Sequence, residues 1–272
     1  MGKKLQICFW LLVAIIVFVA LGGIVYQLAR AVNEDTVHPE VTFEIENLGT
    51  IKMELYPEYA PNTVKNIIRL VKNGFYTDKV VYGKDEICVY VGRSQDSNVP
   101  DVKASYMLPT IEKDSDADYN YSIAGEFLLN GFEKNLLNHE KGTVTLLRND
   151  YGSGLTNESY NSGNTQMAIM MNSDSSKLNG AYAAFGKITE GLELIEKLYN
   201  EGEILTKEEG KNAETGESEQ AQDEAIDRFK TFPIIKSATV DTKGIDFGDP
   251  EIQEIFDYGE YMYQMMQQYY GQ

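Results

Sequence analysis

The side chains that usually act as neutral-pH bases, thiol nucleophiles or zinc ligands are scarce in this 272-residue chain. It has two histidines, His38 and His139, and two cysteines, Cys8 and Cys88. A Ser-His-Asp triad or a histidine-built zinc site has little material here, so neither a metal nor a cofactor is expected. Cys8 lies within an apolar N-terminal run, away from Cys88, so the fold is not expected to depend on a disulfide. One stretch, "VVYGKDEICVYVGRSQ" (Val80–Gln95), holds two β-branched, aromatic-rich runs around a Gly-Lys-Asp-Glu turn. That is the signature of a β-hairpin. It carries Lys84 and Arg93 but no evident nucleophile or base.

The elements around this hairpin are mostly strands. "VTFEIE" (Val41–Glu46) and "TIKMEL" (Thr50–Leu55) alternate apolar and polar residues across an "NLG" turn. "PEYAPNTVKNIIRLVKNGFY" then predicts a helix with Pro61 in its first turn, Val64, Ile67, Ile68 and Val71 on one face, and Gly74 as its stop. "GTVTLLR" (Gly142–Arg148), "TQMAIMM" (Thr165–Met171), "YAAFGKI" (Tyr182–Ile188) and "FPIIKSATV" (Phe232–Val240) read as further strands. A second short helix is expected in "TEGLELIEKLY", with Thr189 as N-cap and Leu192, Ile195 and Leu198 facing inward. Many strands and two short helices favour a closed barrel, which leaves no sheet edge exposed.

Composition sets the remaining bounds. Hydrophobic residues make up 43% of the chain and aromatics 11%, enough for a packed core. The net charge of −18 argues against a nucleic-acid partner, because such a surface repels phosphate backbones. Residues 201–228 hold ten acidic against three basic residues and read as an exposed insertion. The tail, residues 251–272, is rich in Tyr, Met and Gln. A loosely packed tail is the default expectation; a peptide-contacting or self-associating segment is the sharper one.

The N-terminus bears on location. After Lys3 and Lys4 no charge appears until Arg30, and Ile7–Val25 is long enough for a transmembrane helix. Trp10 and Tyr26 sit near opposite ends of it. A cleaved signal peptide is the rival, since Ala29-Arg30-Ala31 is a small-x-small triplet, but the apolar run exceeds the usual ~7–15-residue signal core. The favoured organisation is an anchor over residues 1–31, a linker over 32–40, a β domain over 41–250 and the tail. The two lysines stay cytoplasmic and the domain lies outside the cell membrane.

"GTIKMELYPEYAPNTVKNIIRLVKNGFY" (Gly49–Tyr76) resembles the cyclophilin family of peptidyl-prolyl isomerases in its "ELYP", "APxTVxN" and "GFY" elements. "YSIAGEFLLNGFEKNLLNHEKGTVTLLR" (Tyr121–Arg148) is similar to a bacterial variant of that pattern, and "GNTQMAIMMNSDSSKLNGAYAAFGKITEGLELIEKL" (Gly163–Leu198) to the region that follows it. The resemblance runs over roughly residues 41–251. It implies a mainly β fold, a closed eight-stranded antiparallel barrel with two capping helices, here preceded by one transmembrane helix. It also implies binding of proline-containing peptides and assistance to the folding of exported proteins.

The implied reaction needs no nucleophile, metal or cofactor. Rotation about a peptide bond faces a barrier of ~18–20 kcal/mol because amide resonance is lost. An apolar pocket can hold the prolyl ring while a cationic donor faces the prolyl nitrogen, whose lone pair localises in the twisted state. The family pattern places Gly83 where the donor arginine belongs, with Cys88, Val89 and Val91 on pocket positions. Gln166 matches a family glutamine, Ala168 replaces an aromatic, and Leu178 and Tyr182 lie on the facing turn. The resemblance thus implies Gln166, Arg148 and Lys84 as catalytic candidates, the two cations as substitute donors alongside Arg93, and Val89, Val91, Leu178 and Tyr182 as substrate contacts. The missing arginine and aromatic walls leave a non-catalytic peptide-binding or chaperone module as one alternative to an isomerase, and the odd composition of the acidic insertion and the tail leaves an envelope scaffold as another.

Overall fold

A computed structural model describes residues 36–94, 121–152, 154–205 and 226–270. The expected membrane span and most of the acidic stretch lie outside the described residues. Among the described residues no helix is long and apolar enough to cross a membrane.

Nine strands form one antiparallel sheet: β1 (Glu40–Ile45), β2 (Gly49–Leu55), β3 (Lys79–Lys84), β4 (Cys88–Ser94), β5 (Thr143–Leu146), β6 (Met167–Met170), β7 (Ala183–Glu190), β8 (Asp227–Arg228) and β9 (Ile235–Asp241). Their order is β8-β3-β4-β6-β5-β7-β2-β1-β9. The sheet curls so that the run into β9 meets β3. Val80 bridges Ile234, the Val81 N–H donates to the Pro233 carbonyl at 3.0 Å, and the Asp78 N–H donates to the Ile235 carbonyl at 2.8 Å. Eight strands are expected from the sequence. The ninth, β8, comes from the end of the acidic stretch and pairs with β3 at Gly83 and Lys84.

At its described ends that stretch is tied to the fold, although Glu203 and Asp227 are exposed. The Leu205 N–H donates to the Arg228 carbonyl and the Lys230 N–H to the Glu203 carbonyl, both at 2.8 Å. Ile204 bridges Phe229, and Ile226 and Phe229 are buried. The insertion leaves and returns at one place, beside β3.

Helices α1 (Pro61–Lys72), α2 (Thr156–Tyr160), α3 (Leu192–Glu201) and α4 (Tyr258–Tyr270) outnumber the expected two. Pro61 opens α1, and Val64, Ile67, Ile68, Leu70 and Val71 bury its apolar face. Glu126 caps this helix. Its carboxylate accepts from the Asn62 N–H at 2.8 Å and from the Thr63 N–H and hydroxyl at 2.7 Å each. Burial pushes the Glu126 carboxyl up and these three bonds pull it back. Helix α3 starts later than expected. Thr189 and Glu190 still belong to β7, and Gly191, at φ +82°, is the N-cap. A Cβ at 191 would stand 2.4 Å from the Thr50 carbonyl oxygen, so only glycine fits. Within the tail, Tyr258–Tyr270 form α4, none of whose residues is buried.

Strand alternation divides the apolar residues between two faces. Phe43, Met53, Val81, Val89, Val91, Met167, Ile169 and Phe185 fill the interior. The void left there is about 10 Å³, too small for a peptide side chain. A second cluster on the opposite face gathers Val80, Tyr82, Cys88, Tyr90, Leu147, Ala168, Met170 and Ile226. The packed interior leaves this outer face as the side of the sheet open to a ligand.

Candidate functional site

The outer cluster borders an open groove of about 130 Å³. Four elements line it. Cys88 and Tyr90 come from β4, Ala168 and Met170 from β6, Thr145 with Leu147 and Arg148 from β5 and its exit, and Leu178 with Tyr182 from the turn before β7; Asp85 and Ile87 close one end. Cross-strand pairing sets the floor: Cys88 lies opposite Met170 and Tyr90 opposite Ala168. Residues two apart on each strand share a face, so the groove follows from strand parity.

The groove's two charged groups are used differently. Asp85 is saturated by the protein itself. One oxygen accepts from the Ile87 and Cys88 N–H groups, each at 2.8 Å, and the other from the Tyr90 hydroxyl at 2.9 Å. Arg148 has only neutral partners. Its guanidinium carbon stands 4.4 Å from the Tyr182 ring centre, 4.8 Å from Tyr160 and 5.6 Å from Phe127. Its Nε donates to the Ala181 carbonyl at 3.2 Å and one terminal nitrogen to the Asn149 carbonyl at 3.4 Å. No carboxylate among the described residues pairs with it. Aromatic faces hold a guanidinium in place without neutralising it. The Cys88 thiol is pushed up, chiefly by burial and then by the nearby Asp85, so at neutral pH it is a thiol and no nucleophile.

The other residues singled out in the sequence lie elsewhere. The Lys84 ammonium donates to the Tyr199 carbonyl at 2.6 Å and rests 5.0 Å from that ring, on α3. Arg93 is buried, 5.7 Å from the Tyr82 ring centre. Gln166 is buried, and its oxygen accepts from the Tyr82 hydroxyl at 2.8 Å. Val89 and Val91 face the packed interior. The structure thus brings Arg148, Leu178 and Tyr182 together and leaves Gln166, Lys84, Val89 and Val91 outside the groove.

Strand parity accounts for Val89 and Val91. Strand β4 pairs with β6 from Cys88 opposite Met170 to Val91 opposite Met167 without a slip, so Cys88 and Tyr90 share the outer face and Val89 and Val91 the inner one. The β3–β4 pairing slips twice, with Gly92 the extra residue in β4 and Tyr82 the extra residue in β3. Tyr82 and Tyr90 stack on the outer face, 5.7 Å apart and 24° from parallel. Tyr90, Thr145, Leu147 and Met170 are groove residues that the sequence reading did not single out. Given Gln166 on the outer face, a period of two along β6 would have supplied Ala168 and Met170.

His139 supports the groove from below. It is 2% exposed. One ring nitrogen lies 3.2 Å from the Thr145 hydroxyl and the other 3.1 Å from the Asn179 side-chain oxygen, which also accepts the His139 N–H at 2.7 Å. Burial holds its pKa below the usual value, against the Asn179 bond. The folded value lies under the unfolded value of ~6.5, so the stability this residue contributes is complete above pH ~6.5 and is lost as pH falls toward the folded value. A thermal melt series from pH 7.5 to 5 is expected to show Tm falling below pH ~6.5, with a shallower fall in His139→Gln. Equal slopes in the two proteins would refute this role.

Several known proteins are similar to this chain. A peptidyl-prolyl cis-trans isomerase of Acinetobacter baylyi is 26% identical over 201 residues, covering 68% of this chain and 81% of its own. Peptidyl-prolyl cis-trans isomerase B of Bacillus subtilis is 27% identical over 163 residues, covering 60% of this chain and 92% of its own. A solved cyclophilin type isomerase of Cryptosporidium parvum, in the presence of the dipeptide Ala-Pro, aligns at 18% identity and a TM-score of 0.46, covering 74% of this chain and 98% of that one. The family model for cyclophilin type peptidyl-prolyl cis-trans isomerases matches residues 40–226. A nine-stranded curled sheet with its groove on the outer face, and a family match over most of the chain, together establish that this chain belongs to the cyclophilin type peptidyl-prolyl cis-trans isomerases.

Proposed function

We propose that the chain is a membrane-anchored, extracytoplasmic peptidyl-prolyl isomerase that assists the folding of exported proteins, with Arg148 as its donor. One observation carries this reading: an apolar floor of Leu147, Ala168, Met170 and Leu178 lies beside a guanidinium with only neutral partners. The groove, about 130 Å³ and open to solvent, leaves room for a small apolar ring on that floor. With a prolyl ring on that floor, the guanidinium can donate toward the nitrogen as the amide twists and its lone pair localises. The interaction is stronger in the twisted state than in either planar isomer, and that difference accelerates rotation. The N-terminal lysines and the apolar run Ile7–Val25 support the anchored, outward-facing placement.

A second reading, a holder of extended polypeptide without turnover, draws on Ile226. This side chain joins the outer cluster where the family's arginine stem would lie. A protease-coupled assay separates the two. The full chain in detergent micelles is expected to accelerate cis-to-trans conversion of an Xaa-Pro tetrapeptide. Binding without acceleration, independent of proline, would favour the second reading. Digestion of the domain by external protease only after cell lysis would overturn the orientation.

A further inference from the structure

We propose that helix α4 is a docking surface for unfolded polypeptide segments that combine apolar side chains with net positive charge. The helix buries none of its residues. Met265 and Met266 are 47% and 50% exposed, and Tyr269 and Tyr270 are 80% and 81% exposed. Glu260 is the only charged residue in its 13 positions. Only its first turn, at Tyr258, packs on the domain; the residues from Met262 onward are exposed.

Its root is firmly placed. Asn62 exchanges two hydrogen bonds with the Glu251 backbone, at 2.9 and 2.7 Å, and Gln253 bridges Ser122. Tyr258 then stacks on Tyr151 at 5.4 Å, with Phe256 edge-on to the same ring at 5.2 Å. Tyr151 lies three residues beyond Arg148, a reach of at most ~11 Å. The helix therefore leaves the body of the protein beside the groove.

Chemistry selects the occupant. Methionine adapts to irregular apolar partners, and tyrosine offers rigid amphipathic area at small entropic cost. Neither dictates a sequence, which suits unfolded chains of varied composition. Four acids between Glu251 and Glu260 surround the root and are exposed. None has an ion-pair partner among the described residues, and the sequence has no lysine or arginine after Lys243. This field attracts cationic segments and repels anionic lipid. It also disfavours a second copy of this chain, which carries the same acids and a net charge of −18. Tyrosine faces add cation–π attraction for Lys and Arg. A client held on α4 would meet the adjacent groove at raised effective concentration.

The inference does not rest on turnover, so its test uses a proline-free probe. A fluorescent, permanently unfolded polypeptide of net positive charge is titrated with the full chain in detergent micelles. It is also titrated with a chain ending at Asp257 and with the full chain carrying Met265→Glu and Met266→Glu. At least tenfold weaker binding is expected for both variants, with tetrapeptide turnover unchanged within twofold. A net-negative probe of equal hydrophobicity should bind the parent chain at least tenfold more weakly. Any of four results would overturn the proposal. These are equal binding by the parent and both variants, equal binding of the two probes, a parent dimer lost on truncation, or displacement of the probe by phosphatidylcholine vesicles.

Discussion

Arg148→Met is expected to lower kcat/KM for an Xaa-Pro tetrapeptide about 100-fold, the scale found when one preorganised donor is removed from a reacting centre. Methionine keeps much of the apolar contact with Phe127, Tyr160 and Tyr182 and removes the charge. The loss should fall on kcat rather than KM, because the guanidinium does most for the twisted amide. Arg148→Lys should recover part of the rate. Lysine keeps a positive charge but loses the planar fork that stacks on three rings. Lys84→Met serves as the contrast: its ammonium is committed to the Tyr199 carbonyl, and turnover should not change. Circular dichroism melts of all three variants exclude simple unfolding. Turnover unchanged in Arg148→Met, or reduced as much in Lys84→Met, would remove Arg148 from the mechanism.

The strands were largely legible because alternation is a local property. "VTFEIE" and "TIKMEL" read as a hairpin, and β1 pairs β2 from Glu40 opposite Glu54 to Ile45 opposite Gly49. Pro61 opens α1 as its fixed φ suggests. Thr189 failed as a cap because a close approach to the Thr50 carbonyl, a non-local contact, moves the helix start to Gly191. The groove was harder to read than the strands. The family pattern places Cys88, Val89 and Val91 at the site by counting along β4, whereas alternation along that strand lines the groove with Cys88 and Tyr90 and turns Val89 and Val91 to the interior. Which face of a wholly apolar strand is the outer one depends on what covers it, so the strand's own sequence does not announce it. Arg148 is a candidate because it matches a family position. Its three aromatic supports come from distant segments and were not read together. The tail reads as loose from composition, and its root is ordered by Asn62, Ser122 and Tyr151, all far away in sequence.

Gly83→Arg, the change that would restore the family's donor by sequence, is expected to give no gain in turnover and to lower stability by about 3 kcal/mol. For a domain of this size that is a fall of roughly 6–12 °C in Tm. The reason is space. A Cβ at position 83 would stand 2.8 Å from the Asp227 carbonyl oxygen and 2.8 Å from an Ile226 methyl. The methyl can turn aside, but the carbonyl belongs to backbone paired with β3 through Gly83 opposite Arg228 and Lys84 opposite Asp227. Any side chain here pushes β8 off, and Ile226, 6% exposed, leaves the outer cluster with it. Ile226→Gly should therefore not rescue Gly83→Arg, since the carbonyl remains. Gly83→Ala should show a smaller loss of the same kind. A Gly83→Arg protein with tenfold higher kcat/KM and an unshifted Tm would sink this account. On the expected result, Gly83 is not a lone lost donor. It is the residue that lets the returning end of the acidic stretch lie against β3, and with that space occupied by β8 the proposed donor is Arg148, among the residues that line the groove.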